Sequence, residues 1–130
     1  MKILGIGVDI IHNNRIKNSI KDIKFRDRIY SINELKLSAS SKNKIGYFSK
    51  RFAAKEAFAK ALGTGFRNNL NFKDIEIIND KLGKPYYSKT KKITQIIRKE
   101  FKVKNFDCFL SISDEKEYST AFTIIQSIWN

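Results

Sequence analysis

The chain is poor in the residues that mark several common protein classes. It holds one cysteine, Cys108, in 130 residues. That excludes an internal disulfide and fits a reducing, cytoplasmic interior. One histidine, His12, leaves a His/Cys zinc centre without enough ligands. There is one proline, and the six glycines form no linker. With no low-complexity tract or internal repeat, residues 1–130 read as a single domain with a core of its own. No apolar run approaches the roughly 18 residues of a membrane span. The short apolar N-terminus meets Asp9 at once, unlike a secretory leader. Acids are scarce too: 13 against 26 lysines and arginines, a net charge of +13. That balance favours an anionic partner, such as a phosphorylated cofactor, an acidic protein, nucleic acid or a membrane surface. At 42% hydrophobic and 12% aromatic the chain is globular rather than disordered.

The hydrophobic pattern gives a mixed set of elements. Residues 2 to 10 read as a strand, with Leu4, Ile6, Val8 and Ile10 on a core face. The other face, Ile3, Gly5, Gly7 and Asp9, is stripped of bulk and leaves room for something to lie against it. Residues 13 to 30 read as an interrupted helix with Ile16, Ile20 and Ile23 inward. Lys17, Lys21, Lys24 and Arg28 form a basic stripe beside them, with Arg15 near. Residues 31 to 43 mix helix and loop signals. A long helix runs from about 44 to 62, with Phe48, Phe52 and Ala59 inward and Gly63 as its cap. A strand over 72–79, a turn over 80–85 and a short strand at Tyr86 and Tyr87 follow. Residues 90 to 103 read as an amphipathic helix through Ile93, Ile96, Ile97 and Phe101. Two strands, 108–113 and 118–128, close the chain as a hairpin. Helices and strands that mix without alternating predict an α+β fold with an antiparallel sheet.

The chemistry concentrates in Arg51-Phe52-Ala53-Ala54-Lys55-Glu56-Ala57-Phe58-Ala59-Lys60-Ala61 and the following Leu62-Gly63-Thr64-Gly65. An acid lies between two lysines, among alanines too small to shield it. Lys55 and Lys60, five residues apart, project at different angles and are placed to clasp different parts of one anion; Arg51 joins Lys55 on one face. Glu56 and Lys60 also have the spacing of a plain i,i+4 pair. Asp9, at the end of the first strand, offers a second carboxylate. Two carboxylates among cations suit magnesium-assisted phosphate chemistry, because magnesium takes one or two protein carboxylates and leaves room for phosphate oxygens. Neither a P-loop nor a dinucleotide fingerprint is present. Cys108, Ser111, Ser113 and His12 form no nucleophilic triad.

Ile6-Gly7-Val8-Asp9-Ile10, the Arg51 to Ala57 segment, Lys60 to Gly65, Gly83-Lys84-Pro85 and Leu110-Ser111-Ile112-Ser113-Asp114-Glu115 together resemble the holo-acyl-carrier-protein synthases. These are small phosphopantetheinyl transferases, and the resemblance runs through nearly the whole chain in order and spacing. It implies a 4′-phosphopantetheinyl transferase-like fold, an antiparallel sheet packed with a long central helix. It implies transfer of the 4′-phosphopantetheine arm of coenzyme A to a serine of apo acyl carrier protein, in support of fatty acid biosynthesis, with release of adenosine 3′,5′-bisphosphate. The family's magnesium ligands correspond to Asp9 and Glu56. Its coenzyme A contacts correspond to Arg51, Lys55, Lys60, Gly63, Thr64, Gly83, Lys84 and Pro85, with Ser113 near the phosphates. The resemblance further implies a homotrimer with sites between subunits and docking of the acidic carrier on the first helix, at Arg15, Lys17, Lys21, Lys24 and Arg28. Bases for the serine are Glu56 acting through water, a metal-bound water, and Asp114, which stands where many relatives carry histidine. The rival readings are a basic nucleic-acid module, indifferent to magnesium and coenzyme A, and an inactive scaffold for the carrier. The resemblance favours the transferase, with neither nucleic acid nor membrane as partner.

Overall fold

The computed structural model describes residues 1–67 and 69–129. In chain order it runs β1 (Lys2–His12), α1 (Asn13–Ser19), α2 (Ile23–Ile29), α3 (Ile32–Ser38) and α4 (Lys44–Leu62). A 3₁₀ turn (Phe72–Asp74), β2 (Ile77–Asn79), β3 (Pro85–Tyr87), α5 (Lys91–Phe101), β4 (Phe106–Asp114) and β5 (Tyr118–Ser127) follow. An antiparallel sheet in the order β1-β5-β4 and a β2-β3 hairpin enclose α4 with the other helices. The α+β architecture expected from the sequence is the one present.

Local chemistry sets most boundaries. His12 caps α1, its Nδ1 accepting from the Asn14 N–H, and Asp22 caps α2 through the Lys24 N–H. Ser31 and Glu34 form a reciprocal capping box at the start of α3. Gly63 ends α4 at φ +82°, a left-handed conformation in which a side chain would be strained. Thr90 caps α5 through the Ile93 N–H. The expected strand over 72–79 is only Ile77–Asn79, because the 3₁₀ turn takes its first three residues. The basic spacing 17, 21, 24, 28 does not lie on one helix. The chain breaks after Ser19, Lys21 falls in the gap, and Asp22 starts a new helix. Ile16 is buried, whereas Ile23 is exposed, against expectation.

The first strand is inverted relative to the pattern reading. Ile6, Val8 and Ile10 are more than half exposed, and the glycine face is the one that packs. A Cβ on Gly7 would sit 1.8 Å from the Ala57 carbonyl oxygen, and one on Gly5 1.8 Å from that of Ala61. The small residues of β1 and α4 thus let a strand and a helix meet backbone to backbone. The alanines of the central segment serve this contact. Ala53, Ala54, Ala57 and Phe58 have no exposure at all, so α4 is core on almost every side. Across the sheet, Val8 pairs with Phe122 and Ile6 with Ile124, and β4 adds Phe109 opposite Ile124. Ile6, Val8, Ile10, Phe109 and Phe122 make an outer face that is both apolar and exposed. Among the described residues no helix is long and apolar enough to cross a membrane.

Candidate active site

The contact of β1 with α4 brings the two predicted carboxylates to one seam. Asp9 lies three residues before the end of β1, on the inward face set by Gly5 and Gly7. Glu56 lies mid-helix on α4 and is half-buried. Lys60, one turn further, does not pair with Glu56. Its Nζ donates to the Val8 carbonyl at 3.0 Å and to Asp9 Oδ1 at 3.2 Å. Burial pushes the Asp9 carboxyl up from its ordinary value, against the pull of Lys60 and Arg15. Burial, and then the charge of Asp9, push the Glu56 carboxyl up as well, again opposed by Lys60 and Arg15. The two acids therefore sense each other across the seam. Arg15, placed by sequence on the docking stripe, stands over the Phe52 ring at 5.6 Å and belongs as much to this cluster.

Lys55 is not placed as the sequence reading had it. It is fully buried and cannot clasp an external anion. Its ammonium donates to Glu34 Oε1 at 2.7 Å and to the carbonyls of Ile75 at 2.6 Å and Phe72 at 3.1 Å. Glu34, also fully buried, accepts the Ser31 N–H on Oε1 and the Ile77 N–H on Oε2. This knot ties α3, α4 and the segment leading into β2. Every donor of the ammonium is used, which is the condition for burying a charge. Glu34 escaped sequence reasoning, although the Ser31-x-x-Glu34 pattern marked a helix start there.

Arg51, one turn before Lys55, is 6% exposed. It lies over the Tyr47 ring at 3.6 Å and donates from Nη2 to Asn79 Oδ1 at 2.6 Å. Asn79 in turn donates to the Gly83 carbonyl at 3.0 Å. Arg51 thus reaches the Gly83-Lys84-Pro85 turn through an intermediary. Gly63 and Thr64 lie at the far end of α4, the first as its cap. At about 100° per residue, Arg51 and Glu56 project roughly 140° apart on the helix. Ser113 pairs with Thr120, which faces Ile10, so it lies on the outer face of the sheet, opposite to Asp9. One copy of the chain therefore gathers Asp9, Glu56, Lys60 and Arg15 at one seam and leaves the Arg51 turn and Ser113 elsewhere. Lys24 and Arg28 of α2, with Asp27, line a shallow depression completed by Asn71 and Lys73. Burial pushes the Cys108 thiol up to about 12, which leaves it protonated and unreactive at neutral pH.

The chain is similar to known proteins over nearly its whole length. A protein of Pelagibacter ubique named holo-[acyl-carrier-protein] synthase is 60% identical over 126 residues, covering 97% of this chain and 98% of the relative. The crystal structure of holo-[acyl-carrier-protein] synthase from Neisseria meningitidis superposes with a TM-score of 0.86 at 37% identity, over 96% of this chain and 99% of that one. The holo-(acyl-carrier-protein) synthase of Bacillus anthracis, solved in complex with CoA (3′,5′-ADP), superposes with a TM-score of 0.81 at 35% identity, over 98% of this chain and all of that one. The family model for the 4′-phosphopantetheinyl transferase superfamily matches residues 5–123. By that match and by these relatives, the chain belongs to the 4′-phosphopantetheinyl transferase superfamily.

Proposed function

We infer that this chain transfers the 4′-phosphopantetheine group of coenzyme A to a serine of apo acyl carrier protein. The observation that carries the reading is the seam of Asp9 and Glu56, two desolvated carboxylates that repel each other beside Lys60 and Arg15. Such a pair gains from a hard dication. Asp9 and Glu56 are the residues that would hold magnesium, with water and phosphate oxygens completing its shell. Bound there, magnesium supplies positive charge that stabilises the phosphoryl oxygens and the departing phosphate.

The chain's own groups account for the rest. Lys60, now resting on Asp9, has a side chain more than half exposed and free to turn toward an incoming phosphate. The serine oxygen of the carrier forms a bond to the phosphorus that bears pantetheine, and the bridging P–O bond of the pyrophosphate breaks. The electron pair leaves with adenosine 3′,5′-bisphosphate. The serine proton passes through a water to Glu56, whose proton affinity is raised by burial and by the charge of Asp9. Catalysis here is positioning and charge stabilisation, with no covalent enzyme intermediate. Lys84 and the backbone of the 83–85 turn, with Gly63, Thr64 and Ser113, are the remaining groups offered to coenzyme A. Arg51 and Lys55 serve by holding that turn and the core beneath it.

The assembly proposed is a homotrimer that covers the apolar outer face of the sheet. Two features support it. Ile6, Val8, Ile10, Phe109 and Phe122 are exposed together. Ser113 and the Arg51 edge also point away from Asp9 in one copy, as a site shared between copies requires. Light scattering is expected to give three times the chain mass, and Val8→Glu with Phe122→Glu to give monomers. The partners are an acyl carrier protein, drawn to the basic groups of α1 and α2, and coenzyme A, with the reaction placed in the cytoplasm.

The test is mass spectrometry of apo acyl carrier protein incubated with this protein, coenzyme A and magnesium. A phosphopantetheine mass gain that needs magnesium and is lost in Glu56→Gln supports the reading. No gain with several apo carriers removes it.

A further inference from the structure

The turn between β2 and β3 is built more firmly than its six exposed or half-exposed residues would lead one to expect. Asp80 organises its interior: Oδ1 accepts the N–H groups of Leu82 and Lys84, both at 2.9 Å. The Asp80 N–H donates to the Lys84 carbonyl at 2.9 Å, and the Gly83 N–H to the Asp80 carbonyl at 3.0 Å. Gly83 sits at φ +87°, where glycine is the residue that fits without strain. These bonds fix the shape of the turn. They do not fix its pose on the protein, because every partner lies within the turn itself.

The β2–β3 pairing holds its base, and one side chain from the end of β2 ties its tip to the helix behind. The Asn79 amide is used at both ends, with Oδ1 accepting from Arg51 and Nδ2 donating to the Gly83 carbonyl. Its orientation follows from the partners: the reverse would set donors against a guanidinium and an oxygen against a carbonyl. Arg51 is itself immobile. Its Nη1 lies 3.4 Å from the Tyr47 carbonyl and its plane rests on the Tyr47 ring. The Tyr47 hydroxyl donates to the Glu34 carbonyl at 2.6 Å. A continuous line of fixed groups thus runs from the buried Glu34 to the turn, and Asn79 is its last and only exposed member.

We propose that Asn79 is a positioning residue for coenzyme A: it fastens the 80–85 turn to Arg51 and so holds Lys84 and the turn's backbone where a phosphate of the coenzyme is received. The proposal rests on the reading that this chain uses coenzyme A. Asn79 touches no substrate. It acts by removing the freedom of groups that do, which lowers the ordering cost of binding and leaves the chemical step alone.

Two variants test it, in the full-length protein. Asn79→Ala removes both bonds. Asn79→Asp keeps the acceptor for Arg51 and loses the donor to Gly83. Both are expected to fold; Asn79→Asp is expected to melt close to the unaltered protein, and Asn79→Ala, which takes an acceptor from the buried Arg51 guanidinium, somewhat below it. Hydrogen exchange at the amides of 82–84 is expected to quicken in both. In transfer assays the KM for coenzyme A is expected to rise about 5- to 10-fold, the size of one lost hydrogen bond, with kcat and the KM for the carrier within twofold. Direct titration with coenzyme A separates the layers of the argument. If the unaltered protein fails to bind coenzyme A, the functional reading falls and this proposal with it. If the unaltered protein binds and both variants bind equally well, Asn79 has no such role. A loss in kcat at constant KM in either variant overturns it as well.

Discussion

Gly7→Ala is the sharpest test of how this fold makes its site. The added Cβ would lie 1.8 Å from the Ala57 carbonyl oxygen and 2.7 Å from the Ala61 nitrogen. Ordinary carbon–oxygen contact begins at about 3.3 Å. Strand and helix would then have to part by roughly 1.5 Å. Neither moves easily. Tyr87 donates to the Ala54 carbonyl at 2.6 Å, Lys55 is bonded into the core, and β1 is paired with β5 along its length. Forced packing of this kind costs about 1–3 kcal/mol, and the rigid main chain on the far side argues for about 3. In a domain of this size each kcal/mol shifts Tm by roughly 3–5 °C, so a fall of about 10 °C is expected. Asp9, two residues on, moves away from Glu56 with the strand. A displacement of about 1 Å at a reacting centre is worth on the order of 100-fold in rate. Calorimetry and the transfer assay read the two effects. Adding Ala57→Gly is expected to restore neither, since the obstructing atom belongs to the backbone. A Gly7→Ala protein that melts within about 2 °C of the parent and keeps its rate would refute the account of this seam.

Other perturbations probe the remaining parts. Lys55→Met leaves Glu34 buried without its counter-charge and is expected to cost about 3–5 kcal/mol in urea unfolding, part of which Glu34→Gln recovers. Glu56→Gln tests the electrostatics of the seam without metal. The folded protein favours the protonated Glu56 carboxyl, so the group stabilises below the ordinary value of 4.5 and that contribution is lost as pH rises through the raised one. In chelator at pH 7 the variant is therefore expected to melt above the parent, with the gap closing toward pH 4; a parent more stable at pH 7 contradicts this. Reversal of Lys24 and Arg28 to glutamate is expected to raise the carrier's KM by about tenfold at low salt and less at high salt, with coenzyme A kinetics unchanged.

Local signals in the sequence led to the right elements where one residue decides. Gly63 ends α4, and the last two strands form the expected hairpin, closed by the Glu115 N–H on the Tyr118 carbonyl. What misled was any question of which side faces inward. Alternation in residues 2 to 10 defines two faces without saying which is buried, and bulk argued for Ile6, Val8 and Ile10. The buried choice is set by a partner with equally little bulk, the alanine edge of α4, and such a match appears only once both elements are in place. Spacing likewise could not tell that Lys55 turns in and Lys60 out. That depends on Glu34, 21 residues away in a stretch whose pattern was ambiguous. The basic stripe is divided between two helices for a more local reason: Asp22 caps a second helix, and that signal outweighs the regular spacing of the lysines. Asp9 and Glu56 stand out in the sequence as residue types, and their meeting follows from the close approach of Gly7 to Ala57.

The embedding of α4 has a consequence for how such a protein can change. Glu56 is flanked in sequence by Lys55 and Ala57, neither of which has any exposure. The residue proposed to carry the chemistry therefore has no backbone freedom apart from that of the core. Many enzymes loosen a surface loop to accept a new substrate and keep their stability in a separate scaffold. Here that separation is missing along the helix, because any substitution that shifts Glu56 also disturbs the packing. Under the proposed function, new substrate preference is to be sought in the turns at 63–65 and 80–85 and on the surface of α1 and α2. The central helix is thus held in place by its packing on almost every side.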